Sequence, residues 1–269
     1  MAAVVTIYPD ADELGDRLAR EILDGIERAR SASRRFLLGC PGGRSLLSTY
    51  QALARRAGDT GAGLAHLVIV MMDEYVVPSG EGFSYCPAHA HYSCRRFAEH
   101  EIRRRLNQAI RFEARIPPDN VWLAEPADPG AFDARLAAAG GVDLFLLASG
   151  ASDGHVGFNP PGSAIDSGSR IIRLAETTRR DNLATFPAFE ELAAVPTHGV
   201  SVGLGTIARL SAAVVMVLNG AYKQAAALRL LGEAAFTPDW PATIVHCCRN
   251  ARIALDESAA RTCRQHGLV

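Results

Sequence analysis

Short apolar runs alternate with longer stretches of helical periodicity along almost the whole chain, and no other feature constrains its fold as much. VVTIY precedes an amphipathic stretch from Asp10 to about Ala32, FLLGC precedes LLSTYQALARR, and HLVIVMM precedes a stretch around HYSCRRFAEHEIRRRL. The alternation continues through AFDARLAAAG, DLFLLAS, VVMVLN, YKQAAALRLL and RIALDE. Apolar runs this short are strands buried on both faces, and the stretches between them are the crossover helices of βα units. The expectation is an α/β, Rossmann-like three-layer fold with a mainly parallel central sheet and helices on both faces. No internal repeat, low-complexity tract or linker marks a boundary, so residues 1–269 read as a single domain.

Composition narrows the partners. Twenty-eight Lys and Arg against 29 Asp and Glu leave a formal charge of −1, with no general field to attract nucleic acid or an anionic membrane. Any anionic ligand must be held by a local site. No window approaches the roughly 20 apolar residues of a membrane span, and the first residues do not read as a secretory signal, which predicts a cytoplasmic protein. The six cysteines are irregularly spaced and read as reduced thiols. Cys86, His89, His91 and Cys94 are four metal-ligand types in one stretch, but a helix starting near His89 would point the two histidines to different faces, so no metal is expected there.

In a sheet of this kind ligands collect beyond the carboxyl ends of the strands. After FLLGC come Gly42, Gly43, Arg44 and Ser45 and then a helix, a combination of inward N–H groups and a helix N-terminus suited to phosphate. After HLVIVMM come Asp73 and Glu74, of which at most one enters a cleft as a general base. After DLFLLAS comes Gly150-Ala151-Ser152-Asp153-Gly154-His155, where Asp153 is placed to orient the histidine. Arg179 and Lys223 are cations that would complete a phosphate site. Taken singly, the glycine turn reads equally well as a plain tight turn, and the acids and cations read more readily as solvated charges, whereas a histidine flanked by Asp-Gly at a strand end is the better catalytic candidate. Gly203-Leu204-Gly205-Thr206 lacks the third glycine and the later acid of a dinucleotide fingerprint, so no nucleotide cofactor is expected.

Taken in order, GCPGGRSLLSTYQAL, MMDEYV, GASDGHVGFNPP, RIIRLAETTRRDN, VSVGLGT and VLNGAYK resemble the motifs of the glucosamine-6-phosphate deaminase family, which includes the 6-phosphogluconolactonases. The likeness runs from about Phe36 to about Glu257. It implies that Gly42 to Ser45, Arg179 and Lys223 hold a substrate phosphate. It also implies that Asp73 moves a proton between C1 and C2 of an opened amino sugar, while His155, oriented by Asp153, assists ring opening. Water attack and loss of ammonia would then give fructose 6-phosphate with neither metal nor organic cofactor.

The chain departs from the family at Pro160, where the deaminases carry a glutamate that supports the histidine, and at Arg44, where a small residue is common. The segment from Gly80 to Leu106 is also longer and more cationic than the family's. Three readings follow. The first is a sugar-phosphate aldose-ketose isomerase and deaminase, the second a lactonase in which His155 activates water, and the third a non-catalytic sugar-phosphate sensor. A homo-oligomer is compatible with the sequence, which carries no decisive interface signature.

Overall fold

The computed structural model describes residues 3–269. Among the described residues eleven strands run in chain order: β1 (Val4–Tyr8), β2 (Phe36–Cys40), β3 (Leu67–Met71), β4 (Asp73–Ser79), β5 (Gly82–Tyr85), β6 (Val121–Trp122), β7 (Leu144–Ala148), β8 (Arg170–Arg173), β9 (His198–Ser201), β10 (Val214–Leu218) and β11 (Ala251–Asp256). The α-helices are α1 (Ala11–Ser31), α2 (Leu47–Thr60), α3 (Cys94–Phe97), α4 (Arg105–Ala109), α5 (Pro129–Ala138), α6 (Glu176–Thr185), α7 (Leu204–Leu210), α8 (Gln224–Gly232) and α9 (Glu257–Gln265). Seven strands form one parallel sheet in the order β1-β11-β10-β7-β2-β3-β6.

The two-residue strand period explains why this sheet is a middle layer. Along β3, Val68 and Val70 enter one core with α5, α7, α8 and α9, while Leu67, Ile69 and Met71 enter a second core with α1 and α2. Both faces are thus covered, as continuous apolar runs require. In α1, Leu14, Leu18, Ile22 and Ile26 recur at helical spacing and are all buried. Asp10 caps this helix by accepting from the Asp12 and Glu13 N–H groups at 3.0 and 2.8 Å, an interaction typically worth about 1 kcal/mol.

A second, antiparallel sheet in the order β5-β4-β9-β8 is an addition to the expected layers. It starts where the parallel sheet stops, because only Met72 separates β3 from β4. The Met72 N–H donates to the Cys40 carbonyl at the end of β2, and its carbonyl accepts from the Val202 N–H just beyond β9. Asp73 therefore opens β4, paired with Ser201, rather than trailing loosely from β3.

The helix expected from about His89 begins at Cys94, because Ser93 caps it by accepting from the Arg96 N–H. It continues through a π-helical turn, Ala98–Arg104, into α4. Among the described residues, no helix is long and apolar enough to cross a membrane.

Candidate active site

A cavity of about 420 Å³ opens at the carboxyl ends of β2, β7 and β10. Seven of the nine residues singled out in the sequence border it: Gly42, Gly43, Arg44, Ser45, Asp73, His155 and Lys223. Asp153 stands behind His155. Arg179 lies outside the lining.

The first wall is the turn after β2. Gly43 has φ +84°, a conformation costly for other residues, and it directs the chain into a short 3-10 turn that opens α2. The Asn219 side-chain amide donates to the Ser45 carbonyl at 2.9 Å, tying this turn to the one after β10. Lys223 closes that second turn, nearly buried, with its Nζ donating to the Ser149 carbonyl. Burial pulls the Lys223 ammonium down to about 8, with Asp181 opposing and Arg44 reinforcing the shift. Two cations and the turn from Gly42 to Ser45 thus border one end of the cavity.

The second wall is the loop after β7. Asp153 Oδ1 lies 2.7 Å from His155 Nδ1 and accepts from the His155 backbone N–H at 3.1 Å. Burial pushes the Asp153 carboxyl up, but the hydrogen bond and charge of His155, with the Thr177 hydroxyl, hold it well below the usual carboxylate range. With Nδ1 committed, Nε2 is the nitrogen left to exchange a proton. A Cβ on Gly150 would fall 2.2 Å from His155 Nδ1, so the imidazole can rest there only because residue 150 has no side chain. The Gly150 N–H donates to the His155 carbonyl and the Ala242 N–H to the Gly154 carbonyl, fixing the loop from both sides.

The third wall is Asp73. Burial raises its carboxyl from 3.8 to about 6; the Cys94 thiol, donating at 3.2 Å, and the charge of His155 act against that rise, while Glu74 adds to it. Its neighbour Glu74 is fully buried and points elsewhere. Glu74 accepts from the backbone N–H groups of Tyr75, Cys94 and Arg95 and from the Ser93 hydroxyl, so it serves the start of α3.

Several bordering residues had no sequence signal. Tyr75, Tyr92, Phe158 and Phe186 form an aromatic side to the cavity, with Tyr75 and Phe158 rings 4.8 Å apart. Asp181 borders the cavity from α6 and accepts from the Ser152 N–H and hydroxyl.

Arg179 is held away from the lining, its guanidinium donating to the carbonyls of Leu192 and Val195. The Cys86-to-Cys94 stretch is likewise divided: both thiols are buried against the acids at 73 and 74, while His89 and His91 are exposed. Ligand atoms of Asp153, His155 and Asp181 lie within 4.8 Å of one another, but Asp153 and His155 already spend theirs on each other.

A family profile described as glucosamine-6-phosphate isomerases/6-phosphogluconolactonase matches residues 9–254. The chain belongs to this family. Among members, a glucosamine-6-phosphate deaminase of Pseudarthrobacter chlorophenolicus is 38% identical over 88% of this chain and 85% of its own. A solved monomeric glucosamine-6-phosphate deaminase superposes with a TM-score of 0.78 at 23% identity, over 96% of this chain and 99% of that one. The 6-phosphogluconolactonase of Leishmania guyanensis superposes with a TM-score of 0.68 at 15% identity, over 97% and 98% of the two chains. At these identities the structural likenesses speak for the fold, which the family shares across both activities.

Proposed function

We propose that this family member is a glucosamine-6-phosphate deaminase, converting an amino-sugar phosphate and water to a ketose phosphate and ammonia. The carrying observation is that the Asp73 carboxylate and the Asp153-oriented His155 imidazole border the same cavity as the Gly42–Ser45 turn and Lys223. The curated deaminase relatives support the same substrate class.

The phosphate docks against the Gly42–Ser45 turn, Arg44 and Lys223, and supplies binding energy remote from the reacting carbons. His155 passes a proton to the ring oxygen as the sugar opens. Asp73 then takes the proton from C2 and returns it at C1, leaving a carbon-nitrogen double bond at C2. Water adds to C2 and ammonia leaves, so atoms balance without a redox partner. A carboxylate that ionises near pH 6 is well matched to taking and returning a carbon-bound proton near neutrality. Arg179, tethered to residues 192 and 195, is assigned to holding that segment rather than to the phosphate.

A second reading has one observation behind it. Pro160 lies outside the cavity lining and brings no carboxylate to His155, which a lactonase using His155 alone would tolerate.

The test is incubation of purified protein with glucosamine 6-phosphate and, separately, 6-phosphogluconolactone. Ammonia release that vanishes in Asp73→Asn and His155→Ala supports the deaminase. Acid production that needs His155 but not Asp73 would replace it with the lactonase, and binding of glucosamine 6-phosphate without turnover would leave the sensor.

A further inference from the structure

The Asp153 carboxylate is saturated with donors. Oδ1 takes the His155 backbone N–H and faces Nδ1, while Oδ2 accepts from the Thr178 hydroxyl at 3.0 Å and from the Thr177 hydroxyl. An ionised carboxylate offers about four lone-pair sites, and here four groups occupy them. Thr178 Oγ1 also lies 3.3 Å from His155 Nδ1, and Thr178 is completely buried. Both threonines stand in the first turn of the ten-residue helix α6, whose N-terminal end favours an anion.

The surroundings explain why neutral donors suit this place. Asp73 faces His155 from β4, Asp181 lies on α6 close to both Asp153 and His155, and Lys223 sits near Asp181 on the opposite turn. Pro160 adds only its carbonyl, which accepts from Ser163. A further carboxylate would crowd a fourth acid around one imidazole. Hydroxyl donors add order without adding charge.

We propose that Thr177 and Thr178 are positioning residues for the Asp153–His155 pair, fixing the carboxylate's rotation and the imidazole's tautomer in place of a supporting acid. The kinetic part rests on the deaminase reading; the spectroscopic part stands without it. Without the two hydroxyls nothing holds Oδ2, so the carboxylate can turn and Oδ1 no longer faces Nδ1 in one fixed orientation.

The test compares wild type with Thr177→Val/Thr178→Val, which keeps the branched shape, and with Thr177→Ser/Thr178→Ser, which keeps the hydroxyls. Long-range ¹H–¹⁵N spectra report the His155 tautomer, and kcat and KM are measured separately. In the valine variant the Nδ1–H tautomer loses dominance, and kcat falls by about tenfold or more with KM within about twofold. The serine variant returns to wild type. An unchanged tautomer and kcat in the folded valine variant overturns the proposal, as does a serine variant as impaired as the valine one, which would assign the effect to methyl packing. A wild type without ammonia release would sink the deaminase reading, while the spectra would still judge the threonines.

Discussion

The Cys94 thiol donates to Asp73 Oδ1 at 3.2 Å, so a weak, uncharged donor touches the carboxylate proposed as the base. The thiol keeps its proton, because burial first, and then the charges of Asp73 and Glu74, raise it well above its ordinary value. Replacing it with a stronger donor, Cys94→Ser, lowers the Asp73 carboxyl and extends activity to lower pH. Cys94→Ala does the reverse. The acid limb of kcat/KM should therefore move down in Ser and up in Ala, and limbs that move together would refute the coupling.

Asp73 should also cost stability. Its carboxyl is raised from 3.8 to about 6 in the fold, so the protonated form is the one the fold prefers. That preference is fully present below about pH 4 and is lost as pH rises through 6. A shift of this size corresponds to about 3 kcal/mol, which we discount to about 1–2 kcal/mol because the side chain borders an open cavity. Asp73→Asn should be inactive, yet more stable than wild type at pH 8 and no more stable at pH 3.5, as read by denaturant unfolding.

Lys223 carries the opposite signature. Its ammonium, pulled down to about 8 by burial, loses charge as pH rises through that value. kcat/KM for a phosphorylated sugar should fall above pH 8, and Lys223→Met should flatten that limb while raising KM by about tenfold or more. A limb that survives in Lys223→Met would assign it to another group.

Arg179 separates two roles cleanly. As a tether to the Leu192 and Val195 carbonyls, its loss as Arg179→Met should lower the unfolding free energy by about 1–3 kcal/mol and leave KM within about threefold. A KM raised tenfold or more at unchanged stability would return the residue to the phosphate.

The parallel sheet was readable because its inner strands are buried on both faces and its helices carry their own periodicity, as Leu14, Leu18, Ile22 and Ile26 show beside the Asp10 cap. The antiparallel sheet was not. β4 is only half-buried and pairs with β9, more than 100 residues away, so its pattern of burial reflects a partner invisible in the local sequence. The same reason governs the site. Asp153 and His155 are neighbours in sequence, whereas the contacts of Thr178 with Asp153, of Cys94 with Asp73 and of Arg179 with Val195 depend on how distant segments meet. Ser93, a good capping residue, was the available signal that the helix starts at Cys94 rather than near His89.

Met72 gives its N–H to one sheet and its carbonyl to the other, and the next residue is Asp73. The aspartate therefore rides on a joint rather than on a loop tip. Its aim is set by the angle between two hydrogen-bonded ladders, whereas His155 is aimed by the turn after β7 and the first turn of α6. Grafting the acid and the histidine onto a plain doubly wound scaffold would reproduce the residues without their alignment. Conversely, slight rocking of the small sheet offers evolution a way to move the carboxylate against the substrate without changing either side chain.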